Sequence, residues 1–215
     1  MITCRKLLVG AGSIAIVAAF PSVEALWHPA TAQSIAQTEL LVPPALGDRS
    51  LGKDDAPVTV VEYASMTCPH CAHFHEATYP ELKKRYIDTG KVRFIFREFP
   101  LDSLAAGAAM LARCADKSKF FPLIETLFQQ QRQWAVEKPI PPLLAIAKQA
   151  GFSEQSFDAC LSDQKTLEAI QAEQKRAVDK FGVNSTPTLF INGKMQKGGA
   201  SIEELAKVID PLLKS

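Results

Sequence analysis

The sequence predicts an α/β sheet domain interrupted by an all-helical insertion. Three observations predict it. Two β-branched or aromatic runs, Val58–Ala64 and Val92–Glu98, flank a helical stretch. A helical pattern then runs from Ser103 to about Lys180, broken only at Lys138–Pro142 and Gly151. A strand, a tight turn, a second strand and a helix close the chain from Thr188 onward. With 215 residues, 47% of them apolar and 22% charged, the chain can bury the core this architecture needs. A formal net charge of +1 provides no basic surface for nucleic acid and no acidic excess that would favour disorder.

The first element, residues 1–32, reads as an export signal. Arg5 and Lys6 precede an uncharged apolar stretch from Leu7 to Phe20, and Ala30-Thr31-Ala32 offers small residues for cleavage after Ala32. The apolar stretch is shorter than the roughly 20 residues of a spanning helix, although an uncleaved anchor is the alternative. Cleavage removes two basic residues and one acidic one, leaving a neutral chain. It also removes Cys4 and leaves four cysteines, Cys68, Cys71, Cys114 and Cys160, in a compartment where disulfides persist.

Residues 33–56, with Pro43-Pro44, Gly47 and Gly52, are expected to be extended or loosely packed. The sheet domain then comprises residues 57–102 and 181–215, and the helical insertion residues 103–180. Within the first half, the helix after Cys68 should reach about Asp88 and be kinked or interrupted at Pro80. The insertion has room for four or five helices. In the second half, Asn192-Gly193 is a type I′ hairpin signal. Ser201 and Glu204 form a capping box for the last helix.

The chemistry-bearing motif is Cys68-Pro69-His70-Cys71, between the first strand and its helix. Pro69 suits the first helical position, where its missing N–H has no consequence. Cys68 then becomes the N-cap, its sulfur facing unpaired N–H groups and the positive end of the helix dipole. Both favour the thiolate, and each unit of lowered pKa is about 1.4 kcal/mol of preference for it. His70 can add a hydrogen bond or a positive charge. Cys71, nearly one turn on, lies within bonding reach of Cys68. Stabilising the Cys68 thiolate stabilises the reduced pair, so the disulfide becomes the state that tends to pass itself on.

Cys-x-x-Cys alone also occurs in zinc sites and structural disulfides; strand, helix, proline and export signal together favour redox chemistry here. Cys68, Cys71, His73 and His75 are possible metal ligands, but the two histidines lie two apart and point to different helix faces, so no metal is expected. His73 and His75 are read as ordinary surface or packing residues.

With these residues in view, the chain resembles the DsbA-like thioredoxin-fold oxidases of bacterial periplasms. The resemblance is carried by Val58–Cys71, by Phe96-Arg-Glu-Phe-Pro-Leu101 and by Val183-Asn-Ser-Thr-Pro-Thr-Leu-Phe-Ile-Asn-Gly193, and covers roughly residues 55–215. It implies a thioredoxin-like sheet with a helical insertion. It implies that Cys68 is the exposed nucleophile, Cys71 the buried resolving thiol and His70 a residue that tunes them. Thr186-Pro187 would be a cis peptide facing the sulfurs. Glu62 would be a buried acid beneath the pair, able to relay protons from Cys71, although strand alternation equally allows it to face outward.

Cys114 and Cys160 depart from the simplest family pattern and resemble other branches, with a second disulfide in the insertion. Such a bond would add roughly 4 kcal/mol in the chain-entropy model; a second redox path is the alternative.

The resemblance further implies an oxidase for cysteine-containing exported proteins, acting as a monomer, with no cofactor beyond its own redox-active disulfide. A membrane quinone-linked thiol oxidase would regenerate it. A disulfide isomerase or reductase of the same fold is the nearest competitor, and a metal-binding or folding-chaperone module is the competitor from another class.

Overall fold

The computed structural model describes residues 36–214; the export signal expected over residues 1–32 lies outside them. Residues 36–56 hold more structure than their composition suggests. They form a helical turn, α1 (Gln37–Leu40), and a short strand, β1 (Arg49–Leu51). Two buried arginines tie this segment down. Arg97 pairs with Asp48 at 3.0 Å and donates to the Leu40 carbonyl at 2.8 Å, while Arg113 donates to the Gly47 carbonyl at 2.8 Å. Buried guanidinium groups need several acceptors, and backbone carbonyls of the leader supply them.

The sheet proper starts with β2 (Val58–Ala64), followed by α2 (Pro69–Ala77) and α3 (Tyr79–Leu82). The break between the two helices falls at Thr78, two residues before Pro80, where the sequence predicts it. A single π-helical turn, Lys83–Ile87, leads to β3 (Val92–Glu98). β2 and β3 run parallel, a pairing that requires such a helical crossover.

The insertion follows as α4 (Ser103–Cys114), α5 (Phe120–Gln129), α6 (Gln131–Trp134), α7 (Ile140–Gln149), α8 (Glu154–Leu161) and α9 (Gln164–Phe181). Those six α-helices exceed the upper figure of the expected four or five by one, because the chain turns at Gln130 and begins a separate short helix. Gly182, at φ 66°, ends α9 in the left-handed conformation that glycine adopts without steric cost.

The chain rejoins the sheet as β4 (Thr188–Ile191) and β5 (Lys194–Lys197), then closes with α10 (Ile202–Leu212). Asn192 and Gly193 both have positive φ, as a type I′ turn demands, and Ser201 and Glu204 complete the capping box. The strand order is β1-β3-β2-β4-β5, with every pairing antiparallel except β2 with β3.

Every residue of β2 is buried. Alternation sends Val58, Val60 and Ala64 into the core shared with α2, α4, α5 and α10, and Val61 and Tyr63 into a second core against α9. Neither face of the central strand meets water. Glu62, in phase with Val60 and Ala64, therefore points inward toward α2, and the outward alternative is unavailable.

Candidate active site

Cys68 is the N-cap of α2 and Pro69 its first residue. Cys68 is only 5% exposed and Cys71 0%. The nucleophile expected to be exposed is thus nearly buried, because the loop before β4 lies over it. As a thiol, its Sγ donates to the Thr186 carbonyl at 3.3 Å. The Thr186–Pro187 bond in that loop is cis, so residues more than 100 positions apart meet at the sulfur.

The two thiols are driven in opposite directions. Cys68 is lowered to about 5, chiefly because the Cys71 thiol donates a hydrogen bond to its thiolate. Burial opposes this, but the Thr186 side chain and the backbone N–H groups of Cys71 and His70 add to the lowering. Cys71 moves strongly upward. Burial is the largest cause, followed by its hydrogen bond to Cys68 and the negative charge of Glu62. One sulfur is therefore an anion at neutral pH and its neighbour a proton carrier.

His70 acts on the pair through its backbone. Its side chain is exposed and makes no hydrogen bond among the described residues, while its N–H supports the Cys68 thiolate. Pro69 is likewise exposed. Glu62 is 0% exposed, and its Oε2 lies 2.9 Å from Nε2 of His75, which is itself buried. His73, two residues earlier on α2, is exposed, so the two histidines do occupy different faces. Cys114 and Cys160 form a disulfide joining α4 to α8, with a Cα separation of 6.1 Å.

Three further contributors escaped the sequence reading. His75, expected to be an ordinary surface or packing residue, lies four residues after Cys71 and seven after Cys68, the spacing of one helix face, and meets Glu62 there. Gln131 Nε2, from α6, donates to the carbonyls of Met66 at 2.8 Å and Cys68 at 3.0 Å. Asp102 caps α4 through one carboxylate oxygen and accepts from the Thr67 hydroxyl at 2.7 Å through the other. No sequence signal marks Gln131, since its partners are backbone atoms 63 and 65 residues away.

A family model described as Thioredoxin matches residues 45–211. A Rickettsia felis chain provisionally named a protein-disulfide oxidoreductase is 37% identical over 168 residues. The match covers 77% of this chain and 60% of that relative, so the chain spans less than two thirds of its length. Disulfide bond formation protein D of Bacillus subtilis is 31% identical over 177 residues, covering 80% of each chain. Among solved structures, Wolbachia pipientis alpha-DsbA1 is 32% identical with a TM-score of 0.77, covering 84% of this chain and 96% of that one. Oxidised BdbD from Bacillus subtilis is 30% identical with a TM-score of 0.69, covering 80% and 97% respectively. The chain belongs to the thioredoxin family and, within it, to the DsbA-like members whose sheet is interrupted by a helical insertion.

Proposed function

We propose that the chain is a thiol–disulfide oxidase that donates a Cys68–Cys71 disulfide to cysteine-containing exported proteins in the periplasm. The observation that carries this reading is the split between the two thiols, with Cys68 lowered to about 5 and Cys71 pushed far up. In the oxidising direction a client thiolate attacks Cys68 Sγ. The Cys68–Cys71 bond breaks, a mixed disulfide forms at Cys68, and Cys71 leaves and takes up a proton. A second client thiolate then attacks the client sulfur, and Cys68 leaves as a thiolate. A low-pKa thiol is a good leaving group, so this last step is favoured.

The reaction needs no cofactor beyond the pair itself. Regeneration removes two electrons and suits a membrane quinone-linked thiol oxidase; the chain would act as a monomer. The name of the Bacillus subtilis relative, a disulfide bond formation protein, supports oxidation over isomerisation. The test is the reduction potential of the pair, read from equilibrium with glutathione. The proposal expects a value above about −180 mV, on the oxidising side of the isomerase range; a value near −270 mV would make the protein a reductant instead.

A further inference from the structure

We propose that the cavity between β1, the π-helical turn and the start of α5 is a binding site for a small monocarboxylate with a short apolar body, and that Arg49 is the residue that holds its charge. The inference goes beyond the redox reading and does not rest on it, since no residue of the cysteine site lines this cavity.

The cavity has a volume of about 540 Å³, within the range of small-molecule sites. A 3-10 turn, Lys117–Lys119, closes it on the side of α5. Arg49 singles it out. The Arg49 Nε is buried and has no hydrogen-bond partner, and the guanidinium makes no ion pair among the described residues.

The contrast with its neighbour is instructive. Arg49 and Arg113 both lie against the Phe120 ring, 5.3 and 5.5 Å from its centroid. Arg113 is answered by both carboxylate oxygens of Glu98. Arg49 has the ring alone, which attracts its charge but offers no lone pair to its five N–H donors. Burial and repulsion by Arg113 both lower the Arg49 pKa from its ordinary value, so the cation is held at a cost that an anion would offset.

The charges on the wall do not cancel. Asp48 is taken by Arg97 at 3.0 Å, and Lys83 by Asp88 at 2.6 Å. Arg49, Lys117 and Glu125 remain, and Glu125 pairs with neither cation among the described residues. Two positive charges and one negative leave a surplus of one. A monoanion matches that surplus. A phosphate monoester, with close to two charges at neutral pH, would leave one uncompensated.

The remaining chemistry favours a carboxylate with something attached. The planar fork of an arginine fits the two oxygens of a carboxylate. The Ser50 and Ser118 hydroxyls line the same cavity, make no hydrogen bond among the described residues and add two donors. Phe121 and Pro122 give the wall an apolar side for the rest of the molecule. An occupant would tie the leader strand to the insertion a second time, beside the hydrogen bond from Arg113 to the Gly47 carbonyl.

The test is a calorimetric titration of the purified protein with three probes: hexanoate, its uncharged amide hexanamide, and inorganic phosphate. Hexanoate should bind one to one, with a dissociation constant in the millimolar range or below, which about eight heavy atoms can supply. Hexanamide lacks the charge and phosphate lacks the apolar body, so both should bind at least tenfold more weakly. R49Q should weaken hexanoate at least tenfold, in keeping with the loss of hydrogen bonds to a charged group. K117Q removes an exposed charge and should weaken it about threefold.

Hexanoate that fails to saturate through the millimolar range, or that binds no better than hexanamide, would overturn the site. Phosphate binding as tightly as hexanoate would overturn the carboxylate assignment. An affinity for hexanoate unchanged in R49Q would put the binding elsewhere on the molecule and overturn the proposal as well. Should R49Q not fold, K117Q decides in its place, and an unchanged affinity there has the same consequence.

Discussion

Gln131 binds the insertion to the redox turn: its Nε2 donates to the Cys68 carbonyl at 3.0 Å and to the Met66 carbonyl at 2.8 Å, although α6 lies more than 60 residues further along the chain. The amide is 7% exposed, so water cannot easily replace it. Gln131→Ala should cost about 1–3 kcal/mol, the usual consequence of stranding buried acceptors. Chemical denaturation checks the stability. The Cys68 thiolate titration on the same variant should move little, because the groups that hold it down are Cys71, Thr186 and the His70 backbone.

The Cys68 thiolate should titrate near pH 5, followed by ultraviolet absorbance. Because this pKa is depressed in the folded state, the stability it contributes is fully present above the unfolded thiol's value of about 8.5 and is lost as pH falls toward 5. The oxidised pair has no thiolate and gains nothing. The melting temperature of the reduced protein should therefore fall relative to that of the oxidised protein as pH drops through this window. A gap that widened on acidification would contradict the assignment.

The supports of that thiolate should rank in a definite order. Cys71→Ala removes the hydrogen bond that lowers Cys68 most. It should raise the titration midpoint further than His70→Ala, which keeps the backbone N–H and loses only an exposed ring. The two midpoints are read from the same absorbance titration.

Clients should be trapped by one cysteine and not by the other. Cys71→Ser removes the resolving thiol and should accumulate mixed disulfides through Cys68, visible on non-reducing gels. Cys68→Ser should abolish oxidation and trap nothing, since Cys71 is fully buried. Complexes forming through Cys71 would reverse the roles.

The Cys114–Cys160 bond spans a sequence separation of 46 residues. Replacing both by Ser should cost up to roughly 4 kcal/mol in the chain-entropy model. The potential of the Cys68–Cys71 pair should change little, since neither residue contributes to the groups around it. Melting and redox equilibrium measured on one variant decide the matter; a shifted potential with unaltered melting would make this bond part of the redox path.

The parts of this architecture that were legible in the sequence are those with a local cause. Pro69 after Cys68, the Asn192-Gly193 turn, the Ser201–Glu204 capping box and the break near Pro80 each follow from a few adjacent residues. Residues 36–56 take up defined structure because Arg97 and Arg113 reach carbonyls in them, and no local sequence pattern there carries that information. The inward aim of Glu62 depends on both sheet faces being covered, which only the placement of α9 decides. His75 was half visible: its spacing from Cys71 shows a shared face, but the burial of that face against Phe128 comes from α5. Near-burial of Cys68 likewise comes from a loop more than 100 residues away.

The two cysteine pairs are consecutive along the chain, 68 with 71 and 114 with 160, and never interleaved. Under the proposed periplasmic role, with export from the N-terminus, the sulfurs would reach an oxidising compartment in that same order. Each pair can close before the next appears, so stepwise oxidation of neighbours in order of emergence yields the native linkage. The sheet obeys no such order, since β4 and β5 arrive only after α9. Until then Cys68 lacks the Thr186 carbonyl above it, and the half-emerged chain carries its reactive sulfur uncovered.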